Sequence, residues 1–403
     1  MNIYLIYLLV VLGIAIFGGS FVKYSIAGIN ITYLIMGLTV IYYIKYFCFD
    51  IRNNKNELIL YDKKRIIDKT RFAVLVFSIY GLLRLVLSYF NITDILVSDR
   101  LLIDNKYVFR QGYYLLLFPL LFVVSDHEQC DIIKESVANV RYLLFILIYI
   151  LSIIINGYFS INVPTTFVLA YLGLVRRNRN PFEIFMLILI VFTPISTGGE
   201  MTNMLIRAIY VVCYFMEIER IHYLYKYLRV ASFTCILLCF ILPFFYNWFK
   251  EIFDANSFWR LNYWYDELNE LRKSYYLGVG YGTSFASRDF VAGNIYRGPF
   301  AADSQYTSIE KMFVVGSHNS IISTTFRLGI VGGGILLFYL NSLAKKLEYI
   351  AENNKEDSLL YCFLIYSTLI IVSTNVGFET PYYFLIFMFA HMLCLTYIEK
   401  NNV

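Results

Sequence analysis

The sequence predicts an all-α protein, a polytopic membrane helical bundle of about twelve spans with one large loop. Three observations carry that expectation. Hydrophobic residues make up 59% of the chain and charged residues only 16%, against roughly 45–50% and about 25% in soluble domains. Apolar segments near the ~20 residues that cross a bilayer recur along the whole chain. Lys and Arg gather in alternate connections. Tyr and Phe are abundant, at 37 and 35 residues, which suits interfacial belts. The net charge of +5 is modest, and nothing in its placement suggests a nucleic-acid partner.

In chain order the expected spans are residues 3–19, 29–48, 72–90, 111–125, 142–157 and 158–175, then 182–198, 200–217, 230–247, 317–341, 358–375 and 382–398. The opening run IYLIYLLVVLGIAIFGG lacks a basic leader and an Ala-x-Ala-like exit, so it reads as a first span and not a cleaved signal. The fifth and sixth spans are separated only by NGYFSIN, and the seventh and eighth meet at STGGE. Threading twelve spans in order puts IRNNKNELILYDKKRIIDKTR, RRNRNP, ERIHYLYKYLR and AKKLEYIAENNKED on one side. The short connections SFVKYSIAG and NVGFETP, poor in Lys and Arg, fall on the other. Basic loops stay in the cytoplasm, so both termini are expected there. The seven cysteines show no CxxC spacing. Cys130 is expected in a cytoplasmic loop and the others in or beside apolar runs, which argues against structural metal or disulfides.

One connection is long. Residues 248–316 form an outer loop, dividing the chain into an N-terminal bundle of about nine helices (1–247), the loop subdomain, and about three C-terminal helices (317–403). A second, smaller outer loop covers about 91–110. Long connections without a role are uncommon, so the large loop is the first place to look for function. It opens NSFWRLNYWYDELNELRKSYY, where Leu261, Trp264, Tyr265, Leu268 and Leu271 follow helical spacing and Ser257 suits an N-cap. This predicts an amphipathic helix at the interface or against the bundle. Arg260 precedes Trp264 by one turn, close enough to stack on it. LGVGYGTSF follows, with Gly278, Gly280 and Gly282 alternating. Such a run either brings backbone N–H groups to a phosphate or makes a tight turn; it lacks the strand and helix of a dinucleotide loop. The remainder adds Arg288, Arg297 and Lys311, opposed by Asp289, Asp303 and Glu310.

Arg84, Arg207 and Arg327 lie inside apolar spans. A charge at mid-membrane costs about 2.5–3.5 kcal/mol on insertion scales, so these side chains are expected to face the interior or a watery cavity. Arg207 lies two turns beyond Glu200 on the same helix face, roughly 10 Å deeper. Of the four histidines, His127 and His222 fall in cytoplasmic loops and His391 in the last span. Only His318 combines an outer edge with the long loop. An imidazole can take a proton near neutrality, and a histidine at a helix start can equally serve as a cap. The residues alone leave both open.

The order of a polytopic bundle, then FWRLNYW, then LGVGYG, then SHNSIISTTFRLGIVGGGILLF resembles the O-antigen polymerase and O-antigen ligase superfamily, the Wzy and WaaL type membrane glycosyltransferases. The family pattern of Arg-x-x-x-Trp, Gly-x-Gly-x-Gly and His-Asn before a Gly-x-x-Gly helix falls on Arg260 and Trp264, Gly278 to Gly282, and His318 with Asn319, with Gly329, Gly332 and Gly333 beyond. The motifs cover about 80 residues and the topology most of the chain.

The resemblance implies a GT-C-type fold in the bacterial inner (cytoplasmic) membrane, with the active site facing the periplasm. It implies transfer of glycan from an undecaprenyl-pyrophosphate-linked oligosaccharide without cofactor or metal. Membrane lipid, a Wzz-like chain-length regulator and a flippase are the partners it brings. It gives His318 the role of base and Arg260 that of phosphate ligand. Arg207, Arg288, Arg297, Gly278, Gly280, Gly282 and Asn319 complete the expected pyrophosphate and glycan site. One departure is visible: STGGEMTNMLIRA has no Arg beside Ser196, where the family often carries a Ser-Arg pair. Arg207, Arg110, Arg288 or Arg297 would have to supply that contact. The first expectation is a polymerase joining lipid-linked repeats at the non-reducing end of the acceptor, with inversion. The alternatives are a ligase transferring finished glycan to lipid A-core, and a lipid-linked oligosaccharide flippase or transporter.

Overall fold

The computed structural model describes residues 2–23, 25–26, 29–45, 68–92, 104–124, 126–156, 159–196, 199–249, 255–295, 316–353 and 357–401. The helices are α1 (Ile3–Phe17), α2 (Ile31–Lys45), α3 (Lys69–Tyr89), α4 (Asn105–Leu117) and α5 (His127–Asn156). They continue with α6 (Val163–Leu174), α7 (Pro181–Phe192), α8 (Glu200–Phe215), α9 (Ile221–Ile241) and α10 (Ala255–Lys273). The last are α11 (Arg288–Ile295), α12 (Ser320–Asn353), α13 (Ser358–Thr374) and α14 (Pro381–Lys400). A two-residue hairpin, β1 (Ser25–Ile26) with β2 (Ile29–Asn30), is the strand pairing among the described residues. Local chemistry sets many starts. The side chains of Asn2, Asp68, Asp104, Asn162 and Asn180 each accept a backbone N–H in the first turn that follows. Pro stands at the opening of α6, α7 and α14, where its missing N–H costs nothing.

Among the described residues, six helical runs are long and apolar enough to cross a membrane: Ile3–Val22, Lys69–Tyr89, His127–Ile155, Ile218–Phe245, Ser320–Asn353 and Pro381–Lys400. The chain is therefore a helical membrane protein. Helical segments fall in the expected spans, but the span expected at 111–125 is divided: α4 starts at Asn105, inside the loop expected at 91–110, and ends at Leu117, with a separate helical turn at Leu120–Val123. In addition, α6 and α7 have only 12 residues each. At 1.5 Å per residue that is about 18 Å, short of the ~30 Å hydrocarbon layer. For α6 the shortfall is harmless, because all its residues are buried inside the bundle. The polar loop expected around Cys130 is instead the first turn of α5, and Cys130 is buried there.

Contacts give the bundle two distinct ends. Lys346 pairs with Asp68, Arg71 with Glu399, Lys134 with Asp357, and Lys400 with Asp131. These bring the starts of α3, α5 and α13 together with the ends of α12 and α14. The Tyr4 hydroxyl meets Thr396 Oγ1 at 2.6 Å, adding the start of α1 to this end. The buried Arg141–Glu183 pair at 2.6 Å ties α5 to the start of α7. At the opposite end Thr165 Oγ1 donates to Ala15 O and Thr202 meets Thr374. The starts of α6, α8, α12 and α14 lie there. His391 sits between, fully buried, with Nδ1 2.7 Å from the Tyr339 hydroxyl and Nε2 3.1 Å from Thr368 Oγ1.

The longest helix is broken. Gly329 in α12 has φ 75° and ψ −179°, so the helical bonds stop there and restart beyond it. A break in a membrane helix needs other partners for the freed backbone groups. The segment 276–280 supplies them. Val279 N–H donates to Phe326 O at 2.9 Å, Gly280 N–H to Arg327 O at 3.0 Å, and Ile330 N–H to Tyr276 O at 3.1 Å. The Tyr80 hydroxyl donates to Leu328 O at 2.9 Å.

Candidate functional site

The long loop folds into the bundle through α10. That helix begins at Ala255, so Ser257 lies inside it and not at its cap. Leu261, Leu268 and Leu271 are buried as their spacing predicts, but so are Trp259, Tyr263, Glu267 and Glu270. Burial on so many sides packs α10 against α12, and each polar group has a reason to be there. Glu267 accepts hydrogen bonds from Ser317 Oγ at 2.5 Å and Ser323 Oγ at 3.3 Å. The Trp264 indole N–H donates to Ser317 O at 2.6 Å. Asp266 accepts from both the N–H and the hydroxyl of Ser287. One helix thus fixes the turn before α12 and the turn before α11.

His318 stands in the first of these turns with φ 59°, a left-handed conformation uncommon outside glycine and a form of local strain. Its ring meets Trp259 edge-on at 5.7 Å between centroids. Burial, and then the positive Arg260, lower its pKa from the ordinary 6.5 to about 4. His318 is therefore neutral at pH 7. Asn319 is the N-cap of α12, its Oδ1 accepting from Ile321 and Ile322 N–H, each at 3.1 Å. Arg260 bears electrostatically on His318, and the Trp264 indole N–H is used on Ser317 O.

The glycine run is placed away from the expected role as a phosphate cradle. Gly278, Gly280 and Gly282 all have positive φ. Besides the bonds to α12, Tyr281 N–H donates to Ser88 Oγ and Gly282 N–H to Gln111 Oε1. Consecutive N–H groups from 279 to 282 are spent inside the protein. Half-buried Arg84 and buried Arg327 close the same knot. Arg84 donates to Gly278 O. Arg327 donates to Gly280 O at 3.0 Å, Thr283 Oγ1 at 2.6 Å and Thr283 O at 2.9 Å, and its guanidinium lies 4.0 Å from the Phe285 ring centroid.

Arg207, expected as a pyrophosphate contact, is bonded within the bundle through Nε and one terminal nitrogen, and its other terminal nitrogen has no hydrogen-bond partner among the described residues. It donates to Val191 O and Thr193 O at the end of α7 and to Asn203 Oδ1. The short α7 leaves its last carbonyls inside the bundle, and Arg207 satisfies them. Glu200, the residue two turns earlier, is exposed. Arg288 begins α11 and is exposed. Arg297 lies outside the described residues.

A cleft of about 520 Å³ opens at the end of the bundle opposite the ion pairs. Its walls come from the start of α2 (Thr32, Tyr33, Met36), α4 (Lys106, Arg110, Tyr113), Phe285, and the connection into α14 (Glu379, Tyr382). Among the described residues its lining includes neither His318 nor Arg260. The His318 turn is nonetheless its neighbour. Ser320 Oγ donates to Glu379 Oε2, and a side chain at Gly316 would lie 3.2 Å from Glu379 Oε1. The sequence reading missed Glu379, Lys106 and Tyr113. The available signal was small: Glu379 is the sole charge in the outer connection NVGFETP. Compared with family models, with curated proteins and with solved structures, the chain matches none.

Proposed function

We propose that the chain is an inverting, metal-independent membrane glycosyltransferase of the polysaccharide-polymerase type, spanning the bacterial inner membrane twelve times. It moves glycan from an undecaprenyl-pyrophosphate-linked donor to the non-reducing end of a second lipid-linked repeat. The carrying observation is the cleft that holds Lys106, Arg110 and Glu379 beside the His318 turn, at the end away from the basic connections. Basic connections stay cytoplasmic, which supports a cleft on the periplasmic side. Cations suit a departing diphosphate, and the aromatic and methionine wall suits a lipid chain. The His318 ring meets Trp259, which shares an apolar cluster with the cleft residue Phe285, so the His318 turn supports the cleft wall.

The broken α12 favours a second reading, a transporter, because transporters coordinate cargo at interrupted helices. Against it, the backbone groups freed at Gly329 are taken up by residues 276–280 and the Tyr80 hydroxyl. A ligase acting on lipid A-core shares the chemistry and differs in acceptor.

A deletion strain separates these. Single repeats on core support the polymerase, long lipid-linked glycan with bare core supports the ligase, and repeats trapped on the cytoplasmic face support transport. The purified protein must also lengthen lipid-linked repeats in detergent; failure to form any glycosidic bond refutes both enzyme proposals.

A further inference from the structure

We propose that the cleft between α2, α4 and the α14 connection receives the acceptor sugar, with Glu379 as the catalytic proton acceptor and the Tyr113 hydroxyl as its second contact. The inference rests on the glycosyl-transfer proposal and deepens it, replacing His318 as the base.

Geometry comes first. Glu379 and Tyr113 both line the cleft, and His318 is not among the residues that do. The Glu379 carboxylate is held from behind by Ser320 Oγ at Oε2. Ser320 Oγ in turn accepts Phe378 N–H at 2.9 Å, so this support is itself fixed. Tyr113 is 5% exposed, and its hydroxyl has no hydrogen-bond partner among the described residues. A buried hydroxyl without a partner costs about 1–3 kcal/mol, a cost that a bound polar ligand removes. Tyr113 and Glu379 lie close enough to interact electrostatically. A carboxylate beside an unsatisfied hydroxyl is the pairing that recognises a polyol. Arg110 and Lys106, the latter sharing its charge with Asp104 at 3.5 Å, line the cleft from the same helix as Tyr113.

The step balances. The acceptor hydroxyl proton passes to the Glu379 carboxylate as the hydroxyl oxygen forms a bond to the donor's anomeric carbon. The bond from that carbon to the diphosphate oxygen breaks, and the diphosphate leaves with the electron pair beside the cations. Basicity agrees with geometry. Burial raises the Glu379 pKa, offset in part by the Ser320 hydrogen bond and by the charge of Arg327. A carboxylate made more basic than usual is a better proton acceptor.

The test uses the full-length protein in detergent and, as probe, the diphosphate-linked oligosaccharide extracted from a strain deleted for this chain. Glu379→Gln is expected to lower kcat by about 10²–10⁴-fold with KM changed less than about threefold. Glu379→Asp is expected to keep measurable turnover. Wild-type activity should fall as pH drops through the Glu379 pKa, and that limb should vanish in Glu379→Gln but persist in His318→Gln. The groups that bear on Glu379 are Lys106, Arg110, Tyr113 and Tyr114 from α4, Arg327 from α12 and Tyr382 from α14, so Arg327 and Arg110 stay unaltered in this series. Tyr113→Phe is expected to raise the acceptor KM about 3–10-fold. Thermal melting of each variant reports folding separately. An active wild type with a fully active, folded Glu379→Gln overturns the inference and leaves the transferase proposal standing. A folded wild type without transfer overturns the transferase proposal and the inference with it.

Discussion

The clearest energetic consequence of the fold sits where the glycine run meets the broken helix. Replacing Gly278 by Ala puts a Cβ 2.3 Å from Gly329 N and 2.7 Å from Arg327 O. Both are backbone atoms, so no side-chain rotation relieves the clash. Gly278 has φ +83°, and an L-residue held left-handed costs about 1–2 kcal/mol. Restoring van der Waals distance moves the two segments apart by roughly 1 Å. That shift breaks the bonds from Val279 and Gly280 N–H to Phe326 and Arg327 O, now 2.9 and 3.0 Å. Each buried backbone pair left unmade costs about 1–3 kcal/mol. The expected loss is therefore at least about 3 kcal/mol, or a fall in thermal midpoint of about 5 °C or more. Gly334→Ala is the control, because a Cβ there meets nothing within 4 Å and the helix gains up to about 1 kcal/mol. Both variants are melted in one detergent beside the wild type. A Gly278→Ala midpoint within about 1 °C of wild type would refute the interlock.

Other expectations follow from the same geometry. Arg207→Leu should cost about 2–4 kcal/mol through the α7 carbonyls it abandons, with the KM for the lipid-linked donor unchanged. A tenfold rise in KM without loss of stability would return Arg207 to a phosphate role. His318 predicts a pH dependence. Its folded pKa, about 4, lies below the ordinary value, 6.5. The imidazole's contribution is thus complete above pH 6.5 and is lost as pH falls toward 4. The loss is at most about 3 kcal/mol. Melting of His318→Gln should be flatter than wild type across that window, and an identical acid limb would show that His318 is not buried against Arg260.

Much of the scaffold was legible, and the parts that were not share a cause. The apolar stripe of Leu261, Leu268 and Leu271 announced α10, because helical period is local. Glu267 was illegible, because its partners Ser317 and Ser323 stand 50 and 56 residues away and a lone Glu carries no sign of burial. The cost of a membrane charge correctly sent Arg207 and Arg327 inward. It could not name what they meet, since backbone carbonyls have no signature in the sequence. Alternating glycines announced positive φ but not the partner, and a helix break needs the same close approach that a phosphate does. Glu379 lay in a connection read only for its lack of Lys and Arg. The brevity of α7 follows from Pro194, which forces Thr193 into an extended conformation (ψ 132°), a stop that hydropathy does not register, and Arg207 satisfies the carbonyls left behind.

The interlock and the cleft are one mechanical unit, because Arg327 belongs to both. Its guanidinium is spent on Gly280 O and on both oxygens of Thr283. An arginine so bonded through both terminal nitrogens in a desolvated setting cannot swing without leaving three acceptors unmet, which costs several kcal/mol. The same group lies 4.0 Å from the centre of the Phe285 ring, and Phe285 is a wall of the cleft. The wall is therefore held by the helix break, and loosening either side should be felt by the other. A double-mutant cycle on Arg327→Lys and Phe285→Leu measures this directly. A buried cation–π contact is worth about 2 kcal/mol, and Lys loses the flat stacking surface as well as part of the fork that bonds Gly280 O and both Thr283 oxygens. The expected coupling in melting free energy is about 1–2 kcal/mol, with Phe285→Leu alone raising the acceptor KM while leaving Arg327 bonded to the loop. Coupling under about 0.5 kcal/mol is the scatter of independent sites, and it would mean that the glycine interlock supports the bundle without shaping the cleft.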